Sequence, residues 1–128
     1  MALRDQIRIM VVDDMSTSRG LIVQGLEALG VRHISTAANG ANALDVLSKS
    51  PAHLVISDYN MPNMDGLKLL HSLRSATKTK GIGFILVTGR TEPQIVEYGR
   101  KLGMNNYLKK PFAPLDLRNC IESIVGPL

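Results

Sequence analysis

Five side chains able to do chemistry stand where apolar, strand-like runs stop. Asp13 and Asp14 follow Ile7-Arg8-Ile9-Met10-Val11-Val12. Asp58 follows Leu54-Val55-Ile56-Ser57, Thr88 follows Phe84-Ile85-Leu86-Val87, and Lys110 follows Tyr107-Leu108-Lys109. Adjacent carboxylates repel unless a cation lies between them, and a hard divalent ion such as Mg²⁺ suits them. The alternative is an Asp that caps the next helix beside a solvated neighbour. Asp58 opens the turn Tyr59-Asn60-Met61-Pro62-Asn63-Met64-Asp65-Gly66. It is either a turn former or a nucleophile that forms an aspartyl phosphate. Thr88 can donate to a phosphoryl oxygen, although a Thr at a strand end is common on β propensity alone. Gly89 lets the backbone approach an anion. Lys110 is a point-charge phosphate binder. The step into Pro111 suggests a constrained turn, with a cis bond as one way to make it, that aims the ammonium inward.

These groups act together only if the fold brings them to one place. An open parallel sheet does so, because its strand C-termini lie along one edge and ligands bind there where the strand order reverses. The apolar pattern supports such a sheet. Strands are expected at about 7–12, 33–37, 53–57, 83–88 and 105–110, with helices at about 16–29, 40–49, 65–75, 92–102 and 113–125. The first run is almost continuously apolar, as a parallel strand covered on both faces should be. Ile22, Leu26 and Leu29 share one helical face, as do Leu117, Ile121, Ile124 and Val125. Gly30 and Gly103 follow the last apolar helix positions and suit left-handed helix ends. Thr91 is the expected cap of the fourth helix, with Pro93 in its first turn. The fold class is therefore α/β, a doubly wound parallel sheet flanked by five helices.

A chain of 128 residues fits one domain, expected to span 1–128 with no output domain. No apolar run reaches the roughly 18 residues that span a bilayer, and the N-terminus lacks a signal-peptide core. One cysteine, Cys120, excludes an internal disulfide and reads as a small buried helix residue. A cytoplasmic protein is expected. The net charge of +4 comes with 4% aromatic residues and no nucleic-acid-reading motif. His33, His53 and His71 lack metal-ligand spacing. Met10, Met15, Met61, Met64 and Met104 read as packing. The turn Asp13-Asp14-Met15-Ser16-Thr17-Ser18 has no glycine-rich phosphate cradle, against a dinucleotide fold.

The motifs Val11-Val12-Asp13-Asp14, Ser57-Asp58 through Asp65-Gly66, Val87-Thr88-Gly89 and Tyr107-Leu108-Lys109-Lys110-Pro111-Phe112 resemble those of response-regulator receiver domains. Within that family they resemble the stand-alone chemotaxis regulators of CheY type. The likeness covers about Ile7 to Ile124. It implies a flavodoxin-like sheet of order 2-1-3-4-5, of which this family is itself an example. It implies Asp58 as phosphoacceptor. Mg²⁺ would be held by Asp14, Asp58 and the Asn60 backbone carbonyl, with Asp13 acting through a metal-bound water. Thr88 and the Gly89 amide would grip the phosphoryl oxygens, and Lys110 would pair with their charge. Tyr107 would turn inward when Thr88 moves; from its own pattern it is only a half-exposed strand aromatic.

The implied partners are a chemotaxis-type sensor histidine kinase as donor and the flagellar motor switch protein as target. The target would bind the face made by the fourth helix, fifth strand and fifth helix. No nucleic-acid or membrane partner is implied, and a monomer is expected. Arg90 departs from the family, many of whose chemotaxis members carry an acid two residues after the threonine. That departure bears on dephosphorylation. Two other readings stand beside this one. One is a phosphorelay intermediate or phosphate sink without a motor target. The other is a small Mg²⁺-dependent phosphohydrolase of haloacid-dehalogenase type, whose Asp-x-Asp motif and cap this chain lacks.

Overall fold

The computed structural model describes residues 2–89 and 92–128. After a short 3-10 turn, Leu3–Asp5, strands and helices alternate: β1 Arg8–Val12, α1 Ser16–Ala28, β2 His33–Ala37, α2 Gly40–Lys49 and β3 Leu54–Asp58. They continue through α3 Gly66–Arg74, β4 Gly83–Thr88, α4 Pro93–Lys101, β5 Asn106–Lys109 and α5 Pro114–Val125. All strand pairs are parallel, in the order β2-β1-β3-β4-β5. The fold is flavodoxin-like. Strand order reverses between β1 and β3, which sets the ends of those strands side by side.

Alternation along each strand divides the core in two. Met10, Val12, Val55, Phe84 and Leu86 pack on one face with Leu47, Leu70, Leu73 and Ile95. Ile9, Val11, Ile56, Ile85 and Val87 pack on the other with Ile22, Leu26, Leu117 and Ile121. The expected helical faces are those that are buried. Leu29, Ile124 and Val125 are only partly covered at the edge. β3 and β4 are buried along their length, whereas β2, an edge strand, is mostly exposed.

Helix starts follow local chemistry. Asn39 Oδ1 accepts from the Asn42 amide at 2.8 Å, and Asp65 Oδ1 accepts from the Lys68 amide at 2.9 Å. Asp116 accepts from the Ala113 amide at 2.9 Å. Gly30 and Gly103 have φ of 89° and 97°, as helix ends of this type require. Arg90 and Thr91 lie outside the described residues. α4 begins at Pro93 with Glu92 at its N-cap position. No described helix is long and apolar enough to cross a membrane.

Candidate functional site

The ends of β1 and β3 bring together Asp13, Asp14 and Asp58. One carboxylate oxygen from each lies within 4.8 Å of the others. Their surroundings differ. Asp13 is fully buried, Asp58 is 7% exposed, and Asp14 is open to solvent. Asp13 Oδ1 accepts from the Met15 amide at 3.0 Å, and its carbonyl accepts from Arg19 Nη1 at 2.8 Å. Neither Asp is the cap of α1, whose N-cap is Met15 with no side-chain cap bond. Asp13 Oδ2 is buried and has no hydrogen-bond partner.

Lys110 enters the cluster from β5. The Lys110–Pro111 bond is cis. Its Nζ lies 3.1 Å from Asp58 Oδ1, 3.0 Å from Ser18 Oγ and 3.8 Å from Asp13 Oδ2. Burial pushes the Asp58 carboxyl above the ordinary range. The Asp13 charge adds to that effect, while Lys110 and the Tyr59 amide oppose it. Lys110 therefore does not offset the burial of Asp58 together with the Asp13 charge beside it. Converging oxygens, an unsatisfied buried Oδ2 and a raised Asp58 suit a hard divalent cation.

The turn after Asp58 is anchored rather than loose. Tyr59 donates to the Val87 carbonyl and Gly66 to the Tyr59 carbonyl, both at 2.9 Å. Met61 is buried, Asn63 has φ 68°, and Asn60 faces solvent. A Cβ at position 66 would lie 2.5 Å from the Asp58 carbonyl oxygen, so only glycine lets α3 start this close to Asp58.

Thr88 is 2% exposed at the end of β4, next to β3. Tyr107 is half-buried on β5, paired with Leu86 and packed against the core on the α2–α4 side. Gly89 is not demanded by crowding, since a Cβ there would meet nothing within 4 Å. Cys120 is buried, its thiol pushed up to about 11 by burial, and Sγ lies 3.7 Å from the Tyr107 carbonyl oxygen. Met15, expected as packing, is instead 61% exposed beside the acidic pair. Sequence reasoning missed Ser18 and Arg19. Each is a polar residue in a helical pattern, with no local feature to set it apart.

The response regulator receiver domain family matches residues 9–122. A probable chemotaxis protein CheY of Rhizobium etli is 38% identical over 128 residues, covering all of this chain and 99% of that protein. Chemotaxis protein CheY1 of Helicobacter pylori is 36% identical over 94% of this chain and 98% of its own length. The structure of Vibrio cholerae chemotaxis protein CheY4 superposes with a TM-score of 0.87 at 28% identity, covering 94% of this chain and 99% of that one. The acidic cleft at the β1–β3 switch point, the strand order and the whole-length likeness agree: this chain belongs to the response-regulator receiver domains of two-component signalling and has chemotaxis proteins of CheY type among its homologues.

Proposed function

We propose that this receiver is a phosphotransfer switch in which Asp58 takes a phosphoryl group from the phosphohistidine of a chemotaxis-type sensor kinase. Receivers of this type are signalling proteins rather than turnover enzymes, which sets aside the phosphohydrolase alternative. The observation that carries the reading is the crowded carboxylate cluster, two of its three members buried, with one ammonium and one unsatisfied Asp13 oxygen. Asp14, Asp58 and the Asn60 carbonyl would hold Mg²⁺, with Asp13 one water removed. When bound, the ion would neutralise the cluster and bind phosphoryl oxygens. An Asp58 oxygen attacks phosphorus, the P–N bond breaks, and its electron pair leaves with the imidazole. Thr88 and the Gly89 amide donate to the phosphoryl oxygens. Lys110 transfers its donation from Asp58 to the new phosphoryl charge. Thr88, drawn toward Asp58, leaves room that Tyr107 fills.

The output surface would be the α4–β5–α5 face. Lys101 and Arg118 there lie 3.9 Å and 3.4 Å from Glu97 and Glu122. Among the described residues no ion pair takes up Arg100 or Lys109, and each lines a cleft that Tyr107 also lines. An acidic amphipathic segment of the flagellar motor switch protein fits that face, and the chemotaxis names of the relatives support this target. The protein would act as a cytoplasmic monomer.

Two experiments test the reading. With Mg²⁺ and acetyl phosphate, wild type should be labelled and Asp58→Asn should not; equal labelling refutes Asp58. Beryllofluoride-bound protein should retain the motor switch segment better than the apo form. Equal retention would leave a phosphorelay or sink role.

A further inference from the structure

We propose that Ser18 is a positioning residue for Lys110. Its hydroxyl holds the ammonium off Asp13, so that Asp13 Oδ2 stays open to a divalent cation or its hydration water. The proposal rests on reading the acidic cluster as a Mg²⁺ site. A lysine ammonium has three donors. One reaches Asp58 Oδ1 at 3.1 Å and one reaches Ser18 Oγ at 3.0 Å. Asp13 Oδ2 is 3.8 Å away, within ion-pair range but beyond hydrogen-bond distance, and is a buried oxygen with no hydrogen-bond partner. Leaving such an oxygen unpaired is costly, and a lysine on a flexible four-carbon stem could relieve it with a small shift. Something holds that lysine back.

Ser18 is suited to do so. It lies on α1, in the wall of a cavity of 530 Å³ that the stem of Lys110, Pro111 and Phe112 also line. The rest of that wall is Leu21, Ile22, Gly25, Pro114 and Leu117, so Ser18 supplies its one side-chain oxygen. Remove the hydroxyl and one N–H of the half-buried ammonium loses its acceptor. The nearby acceptor is Asp13 Oδ2. Lys110 would then bridge two of the three carboxylates and compete with the cation for both.

The test is calorimetric titration of Mg²⁺ into the apo protein. Relative to wild type, Ser18→Ala should bind about 10-fold more weakly, the lower end of losses for a residue that orients a metal site. Ser18→Cys, similar in size but a weak acceptor, should behave like Ala. Ser18→Thr keeps the hydroxyl and should stay within about twofold of wild type. In a Lys110→Met background, Ser18→Ala should change nothing. Thermal melts identify any variant that fails to fold, and the Cys and Thr variants keep the question open if Ala does. The proposal is overturned if folded Ser18→Ala or Ser18→Cys binds like wild type, or if Ser18→Ala costs the same factor without Lys110. Absence of Mg²⁺ binding by wild type would overturn the cation reading itself, and this proposal with it.

Discussion

The two edges of the sheet treat their cations in opposite ways. At the N-terminal edge of β4 and β5, Arg74 from the end of α3 makes five hydrogen bonds. They run to the carbonyls of Gly103 (twice), Lys80 and Ile82 and to Asn105 Oδ1, at 2.7 to 3.2 Å. A guanidinium has five N–H groups, so none is left over. Asn105 Oδ1 also accepts from the Phe84 amide at 2.8 Å, which ties the clamp to β4. At the C-terminal edge, Lys110 enters a cluster of three carboxylates, pairs with Asp58 and Asp13, and leaves Asp13 Oδ2 without a hydrogen-bond partner. The Arg74 guanidinium has no donor left for a ligand and serves to hold elements together. The unsaturated edge trades stability for binding capacity, and its deficit is what a cation and a phosphoryl group would complete.

If the contrast is right, removing Arg74 should have the largest effect on folding and almost none on the site. Arg74→Ala should lose about 1–3 kcal/mol in urea unfolding, because five acceptors, the carbonyl of buried Ile82 among them, lose a charged donor. Its Mg²⁺ affinity should remain near wild type. An unchanged unfolding midpoint would show that the clamp is only decoration.

At the other edge, removing a charge should stabilise. The Asp58 carboxyl is raised, first by burial and then by Asp13, against the pull of Lys110. The native state therefore holds this proton more strongly than the unfolded chain. Its contribution is full below the ordinary value of 3.8 and is lost as pH rises through the raised one. At neutral pH the ionised carboxylate opposes folding. Asp58→Asn should then gain about 1 kcal/mol, roughly 3–5 °C in Tm for a domain of this size, and the gain should shrink in acid. A mutant less stable than wild type at pH 7 would mean that the Lys110 pair outweighs the crowding.

The smallest effect belongs to His53, also at the N-terminal edge. Neutral Nδ1 accepts from the Arg8 amide at 2.9 Å and joins the starts of β1 and β3. Burial, then the Arg8 charge, lowers its pKa below the ordinary 6.5. Here the unfolded chain binds the proton more strongly, so the contribution is full above 6.5 and is lost as pH falls through the lowered value. His53→Leu should cost about 0.5 kcal/mol at pH 7.5, because the bond is open to solvent, and its gap from wild type should close in acid. A gap that does not vary with pH would leave the histidine a spacer.

Much of this molecule follows from its sequence alone. Apolar runs of the right period place the five strands and five helices within a few residues, because periodicity is a local property read one element at a time. The five chemical residues were legible for a related reason: each stands at the end of such a run, and a parallel sheet collects strand ends on one edge. Only tertiary structure decided how unequal they are. Asp13 and Asp14 are neighbours in sequence, yet one is fully buried and the other exposed, since which of two adjacent carboxylates turns inward depends on what packs around them. The partners of Lys110 and Arg74 were equally hidden. Ser18 meets Lys110 across 92 residues and Arg74 meets Gly103 across 29. No local pattern marks a serine inside a helix or an arginine at its end for such a contact. Those pairs exist because the order β2-β1-β3-β4-β5 sets the strand ends along one edge, where the long Lys110 side chain reaches Ser18 at the start of α1, and brings the end of α3 against the loop that precedes β5.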